Sequence, residues 1–121
     1  MRFTALILAF AFICLATSQD FISGNWRKQN VEEFMQDSLY QEMLEFGLKQ
    51  FGTEAFHDHQ LGYSEVGLFT VNSIATQVVN GLRIRYNVEC YDLEGVVHNA
   101  DIVVYRSTAG EKEFQYYSLY Y

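Results

Sequence analysis

The sequence predicts an α+β domain in which one amphipathic helix packs on a four- to five-stranded antiparallel sheet. Three observations carry this. Residues 39–51 place apolar side chains at three- and four-residue steps. After the polar stretch that ends at residue 64 the period changes to two, most cleanly from Leu82 to Cys90, and the segment 66–79 is rich in Val, Phe, Thr and Ile. The strand-like runs are separated by short turn signals, Asn80-Gly81, Asp92-Leu93-Glu94-Gly95 and Ser107-Thr108-Ala109-Gly110, of hairpin length.

The chain opens on a segment expected to leave the fold. Arg2 gives a positive start, residues 3–15 are apolar except for Thr4, and Ala16-Thr17-Ser18 supplies small residues at the first and third positions before a cut. An apolar run of about a dozen residues with such an exit reads as a secretory signal, too short to span a bilayer. The expected division is 1–18 signal peptide and 19–121 one secreted, extracellular domain; a retained membrane anchor is the alternative. Residues 19–36 form a mixed leader. Asn30 stands three residues before Glu33, the spacing of a capping box, so a helix can begin there; Asp37 or Ser38 can equally cap a later start.

In the main helix, Met43, Leu44, Gly47, Leu48 and Phe51 form the apolar stripe, flanked by Tyr40 and Phe46, with Glu42, Glu45, Lys49 and Gln50 opposite. Gly47 costs about 1 kcal/mol of helix propensity relative to Ala, which makes sense where a sheet backbone passes close. Gly52 is expected to end the helix, and residues 53–64 to form a polar connection holding His57-Asp58-His59. Strands follow at 66–79, 82–90, 96–106 and 114–120. The second alternates cleanly, with Leu82, Ile84, Tyr86, Val88 and Cys90 on one face and Arg83, Arg85, Asn87 and Glu89 on the other.

Composition narrows the function. Without the signal, 103 residues remain, enough for one core, with 7 basic against 15 acidic residues and a net charge of −8. That argues against nucleic acid and against anionic membrane surfaces as partners of the mature form. Cys14 leaves with the signal, so Cys90 has no intrachain partner, and stability rests on a core with an aromatic content of 17%. No nucleophile–base pair, carboxylate pair or phosphate loop stands out, so an enzyme is not expected.

One helix followed by a hairpin with Gln77, Val78, Val79 and Gly81 at its tip resembles the cystatins, inhibitors of papain-like cysteine proteases such as cathepsins. The four residues match the family's QxVxG loop, and Met43-Leu44-Glu45-Phe46-Gly47-Leu48 is similar to its helix. The resemblance covers residues 36–121 by pattern. It implies reversible competitive inhibition by a wedge. An N-terminal segment with a Gly, the QxVxG tip and a second hairpin tip enter the protease cleft together and offer no scissile bond. Carried over, the protease-binding residues are Gln77, Val78, Val79, Asn80 and Gly81, supported by Gly24 and by Ser107, Thr108, Ala109 and Gly110. No cofactor is implied. A monomer is expected, and the fold implied can also swap strands into a dimer by opening its first hairpin.

The sequence departs from the family in three places. The second tip carries Ser107-Thr108-Ala109-Gly110 in place of a Pro-Trp or Pro-Gly element, and the chain has no proline. Loss of one large aromatic anchor weakens an interface by about 2 kcal/mol or more, roughly thirtyfold. Gly24 lies farther from the helix than the family spacing, unless the leader holds an extra turn near 31–35. Asn80 stands where Ala is usual, which makes an Asn-Gly turn and favours an ordinary hairpin corner. A non-inhibitory extracellular binding protein on the same fold is therefore the competing reading.

Other candidates have blander alternatives. His57-Asp58-His59 suits zinc or copper chemically but reads as a solvated loop, so no metal site is assigned. Cys90 would need a base and exposure to be a nucleophile, and its place on an apolar strand face makes it a buried thiol. Trp26 reads either as a protease contact or as packing over the helix start. Arg83 and Arg85 read as a solvated strand face, and the terminal Tyr-Tyr-Ser-Leu-Tyr-Tyr as a strand with aromatic rungs.

Overall fold

The computed structural model describes residues 25–120, together with the dipeptides Ile7–Leu8 and Phe10–Ala11, which pair with each other outside the main sheet. Gly24 and the expected cut after Ser18 lie outside the described residues. Among those described, no helix is long and apolar enough to cross a membrane.

The chain forms β1 (Arg27–Gln29), α1 (Val31–Phe34), α2 (Ser38–His57), β2 (Gly67–Val78), β3 (Gly81–Tyr91), β4 (Val97–Ser107) and β5 (Lys112–Tyr120). The strands build one antiparallel sheet of five in the order β1-β2-β3-β4-β5. The fifth strand is the leader segment β1, which the sequence pattern leaves unassigned because three polar residues carry no apolar period. Both alternative helix starts are used. Asn30 caps α1, its Oδ1 accepting from the Glu33 N–H at 2.9 Å, and Asp37 caps α2, accepting from the Leu39 N–H at 2.8 Å.

α2 lies on one sheet face through Met43, Leu44, Phe51 and Ala55. They meet Ile74 of β2, Ile84, Tyr86, Val88 and Cys90 of β3, and Ala100, Ile102 and Val104 of β4 in one buried cluster. Tyr86 is fully buried, and its hydroxyl donates to the Tyr40 carbonyl at 2.7 Å, which ties β3 to the first turn of α2. Burial, reinforced for Tyr40 by the nearby Asp37 charge, pushes both phenols up from their ordinary range.

Two expectations about glycine are corrected. Gly52 does not end the helix, which runs to His57 and buries Ala55 one turn further on. The stop is a Schellman motif instead: His59 sits at φ 61°, its N–H bonds the Phe56 carbonyl at 3.1 Å, and the Gln60 N–H bonds the Ala55 carbonyl at 2.8 Å. Gly52 is needed for close approach, since a Cβ there would lie 2.1 Å from the Ser64 carbonyl oxygen in the returning loop. At Gly47 it is the methyl groups of Ile102 and Val104, each 3.0 Å from a Cβ, that come close, rather than sheet backbone.

Candidate functional site

Both candidate tips stand at the same end of the sheet. Val78 pairs with Leu82 to close the β2–β3 hairpin, and Gly81 pairs with Ser107 at the mouth of the β4–β5 hairpin. The leader joins the sheet at that end too, where Arg27 pairs with Thr76 two residues short of Val78. Trp26 therefore lies beside the tips, on the sheet face away from α2. The guanidinium carbons of Arg83 and Arg85 sit 4.9 and 4.7 Å from its ring centroid. Trp26 does not pack over the helix start as one reading had it; a cation–π stack across the outer face holds it. Arg83 and Arg85 are correspondingly more than a solvated face.

Much of the first tip is engaged within the chain. The Arg83 guanidinium donates to the Gln77 side-chain carbonyl at 2.6 Å and to Gln115 Oε1 at 2.7 Å, so the outer face is stitched from β2 to β5. Asn80 and Gly81 both have positive φ, 53° and 135°. The turn is looser than a two-residue Asn-Gly hairpin, because Val79 stays outside the ladder and only its N–H bonds the Gly81 carbonyl at 3.1 Å. Tyr105 reaches over from β4 and donates to the Asn80 carbonyl at 2.6 Å. Its ring fills the space of a Gly81 side chain, since a Cβ there would lie 2.4 Å from the Tyr105 hydroxyl. Two residues of the tip point their apolar groups outward: Val78 is 41% exposed and Val79 37%.

The second tip is a compact turn. The Gly110 N–H bonds the Ser107 carbonyl at 2.9 Å, Gly110 adopts φ 92°, and Ser107 Oγ accepts from the Glu111 N–H at 3.0 Å. Thr108 and Ala109 are the exposed pair at its apex. Ser107 and Gly110 are consumed by the turn, so this tip presents a methyl and a hydroxyl where the resemblance would place a large ring.

Charge is unevenly spread. Register places Arg27, Lys28, Arg83, Arg85, Arg106 and Lys112 toward the tips, with Glu111 and Glu113 beside the second tip and Glu42 paired to Lys112, whereas Asp92 and Glu94 lie at the opposite end of the sheet. The acidic balance of the chain therefore does not describe the surface around the tips.

At that opposite end the structure assembles a group that sequence spacing did not reveal. Cys90 and His98 are direct cross-strand partners, and His98 Nε2 lies 3.0 Å from Asp92 Oδ2. Thiol, imidazole and carboxylate in that order suggest a nucleophile with its base and orienting acid. The environment opposes this use. Cys90 is fully buried, and burial, with a smaller contribution from the Asp92 charge, pushes its thiol up to about 11. Asp92 is a turn-former instead. Its Oδ1 accepts from the Glu94 and Val96 N–H groups at 2.9 and 3.0 Å, and His98 clamps the other oxygen. The hydrogen bond from His98, and then the two backbone donors, hold the Asp92 carboxyl below the usual carboxylate range. His57, Asp58 and His59 form the end of α2, where the Asp58 carboxylate accepts from the Tyr117 hydroxyl at 2.6 Å.

Scanned against protein-family models the chain matches none. A search of curated proteins finds no match either.

Proposed function

We propose that this chain is a secreted, reversible, competitive inhibitor of papain-like cysteine proteases, built on a cystatin-like fold and acting through the hairpin tips. One observation carries the reading: the Gln77–Gly81 tip, the Ser107–Gly110 tip and the entering leader at Trp26 share one end of the sheet. Three rigid, adjacent projections suit a cleft, because rigid tips lose little conformational entropy on docking. Val78 and Val79 supply the apolar contact. Thr108 and Ala109 form the second point, and the leader, described from residue 25, enters at the same edge. The chain performs no catalysis in this reading and needs no cofactor.

The competing reading, a non-inhibitory extracellular binding protein, is favoured by one specific observation. Gln77 and Gly81, two of the four residues that match the family loop, have internal duties to Arg83 and Tyr105.

The test is a titration of residues 19–121 against papain and a cathepsin L-type enzyme, beside a Val78→Asp, Val79→Asp variant. Both valines are exposed, so the variant keeps its fold, which circular dichroism checks. Inhibition by the parent that is lost in the variant supports the wedge. No inhibition by folded parent protein at tens of micromolar, the affinity range expected of a weak interface, refutes it.

A further inference from the structure

We infer that the sheet face away from α2 carries a binding site for a sulfated saccharide, in which Lys28 and Arg85 take the sulfate and Tyr116 and Tyr120 take the sugar rings. Direct cross-strand pairing sets the site out in one row. Lys28 pairs with Ala75, Ala75 with Arg85, Arg85 with Val103, and Val103 with Tyr116. Directly opposed residues share a face. Arg85 stands between Ile84 and Tyr86, which belong to the cluster under α2, so the whole row lies on the other face. Small Ala75 separates the two cations and leaves room between them for an anion. Tyr120, paired with Asn99, continues the same face along β5.

Arg85 holds the centre. Its guanidinium carbon lies 4.7 Å from the Trp26 ring centroid, and it makes no hydrogen bond or ion pair with any described residue. A cation–π contact uses the flat face of a guanidinium and leaves its N–H edge to an anion. Arg83 differs, because its donors go to Gln77 and Gln115. Lys28 is exposed and also lacks a carboxylate partner among the described residues. Two cations without counter-ions, fixed on adjacent strands of a chain rich in carboxylates, are complementary to an anion. The carboxylates of the same face are in other rows: Glu113 opposes Tyr105, and Glu89 opposes Asn99. Asp101 is nearer, but its two oxygens accept from Asn87 and from the Tyr120 hydroxyl.

The rings choose a saccharide over an acidic peptide. Val103 is fully buried although α2 lies on the opposite face, so side chains of this face close over it, with Arg85 and Tyr116 as its direct neighbours. Tyr116 and Tyr120 are nevertheless 45% and 51% exposed. Exposed rings on a flat sheet, beside the hydrogen-bonded amides of Asn87 and Asn99, suit the apolar face and hydroxyl rim of a sugar. A sulfate suits the cations better than a carboxylate does, because a planar carboxylate is satisfied by one arginine fork, whereas a tetrahedral group offers oxygens to Arg85 and Lys28 together. This site lies on the sheet face rather than at the tips and does not depend on protease inhibition.

The probe is a heparin tetrasaccharide, titrated at low ionic strength into 15N-labelled residues 19–121 and followed by heteronuclear NMR. Saturable shift changes are expected on residues 26–28, 83–87 and 116–120. A hyaluronan tetrasaccharide, with rings but no sulfate, and penta-aspartate, with charge but no rings, should each bind at least about tenfold more weakly. Arg85→Gln should weaken the heparin fragment about tenfold. Lys28→Gln, at an exposed position that leaves the fold intact, should weaken it about threefold or more. Tyr116→Ala should weaken it as well, and Tyr116→Phe should restore it, since the ring and not the hydroxyl makes the contact. The inference is overturned if penta-aspartate or hyaluronan binds as tightly as the heparin fragment, if Lys28→Gln and Arg85→Gln both bind like the parent, or if nothing saturates by millimolar saccharide. It is also overturned if the shifts fall on residues 77–81 or 107–110, or if sedimentation finds a saccharide-free dimer whose interface is this face.

Discussion

The double role of Gly81 can be separated by a cycle with Tyr105. Changing Gly81 to Ala places a methyl where the Tyr105 ring lies, 2.4 Å from its hydroxyl, at a φ of 135°. The obstructing atoms are the end of a side chain, so Tyr105 can swing away at the cost of its 2.6 Å hydrogen bond to the Asn80 carbonyl. That bond is worth about 1 kcal/mol net. The backbone conformation adds about 1–2 kcal/mol that no repacking relieves. Gly81→Ala alone should therefore lose about 2–3 kcal/mol in urea unfolding, with the slope unchanged. In a Tyr105→Ala background the ring and hydrogen bond are already gone, and the same substitution should cost only the backbone share, about 1–2 kcal/mol. The coupling between the two sites should be about 1 kcal/mol. Additive losses, with coupling near zero, would refute the account of the tip as a structure pinned by Tyr105. Inhibition measured on the same four proteins then separates roles. If Tyr105→Ala inhibits as well as the parent while Gly81→Ala does not, the glycine serves the partner as well as the fold.

Four further outcomes follow from packing and charge. Gly52→Ala should lose about 3 kcal/mol or more, because its obstruction is the backbone oxygen of Ser64 at 2.1 Å. Gly47→Ala should stay within about 1 kcal/mol of the parent, since helix propensity offsets crowding by two movable side chains; equal losses in urea unfolding would contradict both. The Asp92 carboxyl is depressed in the fold, so its contribution is present above its unfolded pKa of about 4 and is lost as pH falls through its lower folded value. Asp92→Asn should accordingly flatten the fall of Tm with acid below about pH 4 relative to the parent, whereas parallel curves would exclude that role. The Cys90 thiol should resist alkylation by iodoacetamide at pH 8 in the native protein and react on unfolding, as the ratio of alkylation rates in the two states will report.

The helix and the strand from Leu82 to Cys90 were legible because each keeps one period for about ten residues, and the other three long strands because β-branched and aromatic runs stand between turn signals. Met43, Leu44, Gly47 and Phe51 announce a helical stripe, and the even-numbered residues from Leu82 to Cys90 announce a half-buried strand. What the pattern did not carry was anything fixed by a residue distant in sequence. Gly52 looked like a helix stop because its reason, the carbonyl of Ser64, lies in a loop that returns only after the helix has ended. The true stop uses a histidine at positive φ, which local chemistry disfavours and the Schellman bonds compensate. Arg27, Lys28 and Gln29 gave no strand signal, since an edge strand solvated on most sides needs no apolar alternation. At the site, the tip residues were located correctly at a hairpin end. Their partners Arg83 and Tyr105, the seat of Trp26 and the Cys90–His98–Asp92 group became visible only with cross-strand register.

The internal duties of the tip also set a limit on its affinity. Gln77 is held by Arg83, Gly81 makes room for Tyr105, and the Asn80 carbonyl is occupied by the same tyrosine. Val78 and Val79 alone have no internal task that explains their exposure. A fully exposed valine that becomes fully buried gains about 1.5 kcal/mol or a little more. At 41% and 37% exposure the two together offer about 1–1.5 kcal/mol. That is about a tenfold gain in affinity, and the second tip adds only Thr108 and Ala109 without a ring. An interface on these two tips is therefore expected to be no tighter than the micromolar range, and a nanomolar inhibitor would have to draw a further 4 kcal/mol or so from the leader. Removing residues 19–25 decides this. If inhibition is unchanged, the tips bind more strongly than their exposed apolar area allows, and the area argument fails. If inhibition falls by about a hundredfold or more, the leader is the principal contact and the hairpins serve to orient it across the cleft.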